Sequence, residues 1–154
     1  MKTLWWVRHG PTNLKTMVGW SDVPADLSDS AAIARLDAFL PRAPLVSSDL
    51  IRAVQTADAI QTGRPRLPHD AGLREVNFGD WEMRDAQEIY AETPDLAMAY
   101  WNDPETSRPP GGESWAELSA RVNGAVERLL NDTADHLIIV AHFGAILSQL
   151  RRAL

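Results

Sequence analysis

Leu4-Trp5-Trp6-Val7-Arg8-His9-Gly10 decides how this chain is read. Four bulky apolar residues in a row mark a strand buried on both faces, with Leu4 and Trp6 on one side and Trp5 and Val7 on the other. The run stops at a cation, an imidazole and a glycine. A strand ending this way delivers Arg8 and His9 to the rim of a sheet, where open α/β folds bind ligands. Gly10 and Pro11 then turn the chain away.

Working outward, residues 11–27 read as a long loop over the sheet edge, and loops of that length are usually functional. Ser28 or Asp29 caps a helix to about residue 40, with Ile33, Leu36, Phe39 and Leu40 as its apolar stripe. Leu45-Val46-Ser47 is a short strand. Ser48 then caps a helix over 49–62 and places Arg52 in its first turn, at the same rim. Arg66-Leu67-Pro68 reads as an edge strand, because flanking prolines exclude a central position. Residues 73–81, LREVNFGDW, are irregular and set Glu75 among apolar neighbours. Short helices are expected over 84–91 and 94–101. Ser114 and Glu117 form a capping box at the head of the longest helix. His136-Leu137-Ile138-Ile139-Val140-Ala141 is a second buried strand, and it also ends on an imidazole, His142, before a final helix.

Strands alternating with helices predict an α/β fold of three layers, α/β/α, around a mostly parallel sheet, in one domain over 1–154. All carboxyl ends of such a sheet lie on one edge. Arg8 with His9, Arg52 and His142 therefore converge. The chain has 154 residues, 45% of them apolar, a formal net charge of −6 and no cysteine. An acidic surface argues against nucleic acid or anionic membrane as partner. The missing cysteines exclude a disulfide framework and a thiolate metal site. Without a signal-peptide pattern or an apolar run of the ~20 residues that span a bilayer, the expected location is the cytoplasm.

Two guanidiniums and two imidazoles in one cleft call for an anion, most simply the dianion of a small phosphate monoester. Positive neighbours lower a histidine pKa and favour the neutral, nucleophilic ring. Such a ring can attack phosphorus and form a phosphohistidine. Arg8, Arg52 and a protonated His142 would neutralise the equatorial oxygens with no metal or other cofactor. Glu75, its pKa raised by apolar surroundings, is the candidate acid for the leaving alkoxide.

At these residues the chain resembles the histidine phosphatase superfamily, the phosphoglycerate mutase-like branch 1. VRHGPT resembles its R-H-G-x-T signature, SSDLIRAVQTA its S-x-x-x-R-A-x-x-T-A segment, and LREVNFGDWE its L-x-E-x-x-x-G-x-W-E segment. GES at 112–114 and AHFG at 141–144 also fit. The resemblance implies a phosphoglycerate mutase-like fold and a histidine acid phosphatase-type phosphomonoesterase. It implies His9 as the phosphorylated nucleophile, Arg8, Arg52 and His142 as the phosphate pocket, and Glu75 as proton donor. Thr12, Asn13 and Trp81 are weaker candidates for substrate contacts. Three features depart from the family's pattern: Pro11 where Glu or Gln is frequent, Lys15 where Asn is frequent, and an end at Leu154 where relatives add further structure, including a strand.

Plainer readings stand beside these. Arg8 and His9 can be an ordinary strand end, Arg52 a surface ion-pair residue, Glu75 a solvated carboxylate and His142 a core histidine. His69 and His136 read as structural. Zinc fits poorly, because two arginines repel a dication. Three functions remain open: a phosphatase, a phosphoglycerate mutase, and a phosphate-binding module without turnover. Sixty-six residues separate Glu75 from His142, too few for the lid insertion of mutases, which favours the phosphatase. Residues 84–112 are the expected specificity wall. The substrate and the oligomeric state, homo-oligomer included, are not legible in the sequence.

Overall fold

A computed structural model describes residues 1–132 and 134–154. Its sheet has three parallel strands, β1 (Thr3–Arg8), β2 (Leu45–Ser47) and β3 (His136–Ala141), in the order β1-β3-β2. The central place of β3 explains its run of five buried residues, 137–141. In β1 the expectation of burial on both faces fails. Leu4, Trp5 and Trp6 are only half-buried, because β3 covers β1 along one side alone among the described residues. Arg66 joins the other edge through a single bridge to Leu45, rather than as a strand.

Alternation along the strands sorts side chains into two layers, as a period of two requires. Leu4, Trp6, Val46, Leu137, Ile139 and Ala141 meet α5 (Trp115–Leu130) and α6 (Phe143–Ala153) through Leu118, Val122, Val126 and Ala145. Trp5, Val7, Leu45, Ile138 and Val140 meet α1 (Ser30–Phe39) and α2 (Ile51–Ala59) through Ile33, Leu36, Ala53 and Ala57. This is the three-layer α/β/α arrangement. Phe39 departs from the stripe expected of α1 and stays exposed, while Leu40 is buried just after the helix.

The helix ends show local sequence at work. Asp29, not Ser28, caps α1 by accepting from the Ala32 amide. Ser114 and Glu117 close the capping box of α5: Ser114 Oγ accepts from the Glu117 amide at 3.2 Å and Glu117 Oε2 from the Ser114 amide at 2.8 Å. Ser48 does not cap α2. The residue before that helix is Leu50, and it supplies no side-chain bond. Two short helices, α3 (Ala86–Glu92) and α4 (Pro94–Asn102), build a satellite cluster of Ile89, Ala97 and Tyr100 around Trp81. No helix among the described residues is long and apolar enough to cross a membrane.

Candidate active site

The strand register assembles the site. Arg8 pairs with Ala141, and Ser47 with Val140, so the residues leaving the three strands are His9, His142 and Ser48, side by side at one edge. The His9 amide donates to the Ala141 carbonyl at 3.1 Å, and the Ser48 amide to the Val140 carbonyl at 3.2 Å, which carries the ladder one step past each strand. The two imidazoles lie 5.0 Å apart between ring centroids.

Both nitrogens of His9 have defined partners. Nδ1 lies 2.6 Å from the carbonyl oxygen of its neighbour Gly10, which can only accept, so Nδ1 carries the proton. Nε2 therefore holds the lone pair, and Arg52 Nε donates to it at 3.3 Å. Thr56, one turn after Arg52, fixes Gly10: its Oγ1 accepts from the Gly10 amide at 2.9 Å and donates to the Arg52 carbonyl at 2.8 Å. The His9 pKa is lowered to about 4, first by burial and then by Arg52 and Arg8, against the opposing Gly10 bond. The sequence points to the arginines as the cause, but burial is the larger one.

Arg52 is almost wholly buried, and backbone holds its remaining nitrogens. Nη1 donates to the Ser21 carbonyl at 2.7 Å and Nη2 to the Gly19 carbonyl at 2.5 Å. The loop that offers these carbonyls is itself shaped by Glu82. That carboxylate accepts from the amides of Gly19, Trp20, Ser21 and Phe78 and from the Ser21 hydroxyl. Burial alone would raise its pKa; these donors outweigh it and hold the carboxyl below the usual range. Gly19 must be glycine here, since a Cβ would stand 2.1 Å from the Val76 carbonyl and 2.4 Å from Glu82.

Glu75 lies between two turns, Ala71–Leu73 and Gly79–Trp81, and its backbone is anchored twice. Its carbonyl accepts from Trp20 Nε1 at 2.8 Å and from Arg121 Nη2 at 3.0 Å. Its buried carboxyl accepts from the amides of Val76 at 2.9 Å and Gly144 at 3.1 Å. Burial pushes the Glu75 pKa up, against those two amides and the more distant Arg52 and Arg121. Glycine at 144 permits the approach, because a Cβ there would sit 2.2 Å from Glu75 Oε1.

A cavity of about 160 Å³ joins these groups, lined by Arg8, His9, Thr12, Thr16, Arg52 and Glu75 along with Leu14 and Val18. A wider hollow of about 410 Å³, walled by Arg8, His9 and residues 11–14, opens beside it. Arg8, His9, Arg52 and Glu75 are thus brought together, and Thr12 lines both spaces. His142 lies next to His9 but is fully buried and does not line the cavity. It also differs in charge from the sequence expectation. Burial first, then Arg52 and His9, lowers its pKa to about 2, so the ring is neutral near pH 7 rather than protonated.

Two candidates turn elsewhere. Trp81 is not a cavity wall: the turn at Gly79–Trp81 drives its ring inward, edge-on to Tyr100 at 5.5 Å. Asn13 sits at the wall of the wider hollow, but at φ 60° its side chain donates to Asp26 at 2.7 Å instead of facing the anion site. Lys15 is exposed and lines neither space. His69 and His136 are structural, bonded to Ser47 and Trp5. Ser48, Thr56 and Glu82 are the contributors that sequence reasoning missed. Each lies inside a segment quoted for the resemblance, the one available signal.

The arrangement can hold a phosphoryl group between guanidiniums, present a nitrogen lone pair to it and keep a carboxylic acid close by. Comparison with known proteins gives the family. The model of the histidine phosphatase superfamily (branch 1) matches residues 4–154. The chain is 30% identical over 151 residues to the adenosylcobalamin/alpha-ribazole phosphatase of Salmonella typhimurium, covering 93% of this chain and 75% of that protein. It is 32% identical over 164 residues to the glucosyl-3-phosphoglycerate phosphatase of Mycobacterium tuberculosis, covering 96% and 73%. Among solved structures, Bacillus stearothermophilus YhfR superposes with a TM-score of 0.87 at 27% identity, covering 99% of this chain and 79% of that one.

Proposed function

The chain belongs to the histidine phosphatase superfamily, branch 1, and from that premise we propose that it hydrolyses a small phosphate monoester through a phosphohistidine on His9. The observation that carries the reading is the state of His9: Nδ1 is tied to Gly10, and Nε2 keeps its lone pair beside Arg52 at the cavity. The two similar phosphatases are named for adenosylcobalamin or alpha-ribazole and for glucosyl-3-phosphoglycerate, which supports a phosphate ester of an organic molecule as substrate.

In this reading Arg8 and Arg52 hold the phosphoryl oxygens, and the wider hollow takes the organic part of the ester. His9 Nε2 attacks phosphorus as the bond to the leaving oxygen breaks. Glu75, whose pKa burial raises, gives its proton to the departing alkoxide. Its carboxylate then takes a proton from water, which attacks phosphorus, cleaves the N–P bond and releases inorganic phosphate. Arg8 and Arg52 supply the positive charge that other phosphoryl-transfer sites draw from metal ions. Thr12, which lines both spaces, is the nearer of the two loop candidates for a substrate contact. The finer assignment is a histidine acid phosphatase-type phosphomonoesterase in the cytoplasm, with small esters rather than nucleic acid or membrane as partners.

The test is release of phosphate from p-nitrophenyl phosphate in the presence of EDTA, with acid-labile, base-stable radiolabel trapped on His9. Phosphate binding without turnover would make the protein a binding module. Interconversion of 2- and 3-phosphoglycerate would make it a mutase.

A further inference from the structure

Ser48 has no part in the chemistry just described, and the helix that follows does not use it as a cap. It is fully buried, and its Oγ lies 2.6 Å from Nε2 of His142, itself fully buried. The only other partner of that hydroxyl among the described residues is the Leu50 amide, which donates to it at 3.4 Å. The other ring nitrogen, Nδ1 of His142, is buried with no partner among the described residues.

The proton between Ser48 and His142 can sit in two ways. If Nε2 carried it and donated to Ser48, the serine's own O–H would have no acceptor, and the bare lone pair of Nδ1 would be stranded as well. That leaves two buried groups unsatisfied. If Ser48 donates to Nε2, its oxygen still accepts from Leu50, and Nδ1–H alone is left over. Buried polar groups are overwhelmingly paired, so the second arrangement is preferred. It also suits an anion, which needs a donor from the neighbouring ring and is repelled by a lone pair. The low proton affinity of the buried ring removes the third choice, the imidazolium, near pH 7.

We propose that Ser48 is a positioning residue that holds His142 as the Nδ1–H tautomer, so that the ring beside His9, 5.0 Å away between centroids, turns a donor and not a lone pair toward the phosphoryl group once His9 carries it. This rests on the phosphatase reading for its purpose, but the tautomer itself does not depend on turnover.

Long-range nitrogen–proton correlation NMR on histidine-labelled protein, free of phosphate near pH 7, reads the tautomer directly. For His142, a protonated Nδ1 and an unprotonated Nε2 are expected, with the Nδ1–H resonance moving when inorganic phosphate is added. In Ser48→Ala the tautomer preference is lost, and kcat on p-nitrophenyl phosphate drops roughly 10- to 100-fold, by analogy with the loss of a partner that orients a metal-binding imidazole. Ser48→Thr, which keeps the hydroxyl, retains the wild-type tautomer. A wild-type Nε2–H tautomer, or an unchanged tautomer in Ser48→Ala, overturns the proposal. Should Ser48→Ala not fold, the wild-type spectrum decides alone. If the wild-type protein turns over no ester, the phosphatase reading falls while the spectrum still settles the role of Ser48.

Discussion

Single side chains here have separable jobs. Replacing His9 by Ala removes the attacking nitrogen, and kcat should fall by several orders of magnitude; ordinary turnover in that variant would discard the nucleophile. Glu75→Gln keeps the shape but removes the transferable proton. It should slow alkyl phosphates at least ~10²-fold while sparing aryl esters with good leaving groups, and equal slowing of both would remove Glu75 from the acid role. The acid limb of kcat/KM should fall below about pH 4, where His9 takes up a proton and loses its lone pair. The alkaline limb should reflect loss of the Glu75 proton, at a pH above that of an ordinary glutamate. The residues at the strand ends were legible because a strand stopping at Arg8-His9 or at His142 has one edge to go to. Ser48 was not, since a serine ahead of a helix reads locally as a cap and its partner is 94 residues away. Trp81 misled because proximity in sequence to Glu75 says nothing about which side of a tight turn an indole takes.

At the level of elements, the site depends on how closely the start of α6 approaches the segment carrying Glu75. Gly144→Ala forces a methyl to 2.2 Å from Glu75 Oε1, so the carboxyl must move. A displacement of that order should cost ~10²-fold in kcat on alkyl phosphates with little change in KM. Full activity in Gly144→Ala would show that the carboxyl's position is not critical. The loop from Gly19 to Ser21 has a similar dependence on Glu82. Glu82→Gln substitutes a donor for one acceptor oxygen, which now faces amides that also donate. Arg52 should lose its orientation, with KM for substrate and the inhibition constant for inorganic phosphate both rising roughly tenfold. An unchanged inhibition constant would separate the loop from phosphate binding. Periodicity located the helices and strands that frame these loops. It carries no information about hydrogen bonds across them, which is why the Glu82 carboxylate was invisible before the structure.

For the whole molecule, burying neutral imidazoles has a consequence for acid stability. His9 and His142 have an ordinary pKa of 6.5 and are lowered on folding to about 4 and about 2. Between those values the unfolded chain binds more protons than the folded one, so stability falls as pH drops below 6.5. The contribution is complete above 6.5 and is exhausted only near the folded values. Each ring adds a slope of at most about 1.4 kcal/mol per pH unit. Glu75 acts in the opposite sense, because its raised folded pKa makes it lose stability as pH climbs through that value. Denaturant midpoints should therefore decline from pH 6.5 towards pH 4, and His142→Asn should flatten part of the decline. A level profile over that range would contradict the burial of both rings in neutral form. The layered α/β/α plan was legible from alternation alone, whereas the half-burial of β1 was not, because a run of apolar residues does not say how many neighbours a strand has. His9, Ser48 and His142 come from distant parts of the chain and become neighbours only when all three strands are in register. Pairing of β1 with β3 sets His9 beside His142, and Ser48 and Arg52 join only when β2 docks on the other side of β3, so full turnover during refolding should rise in step with the last of these long-range pairings and serve as its clock.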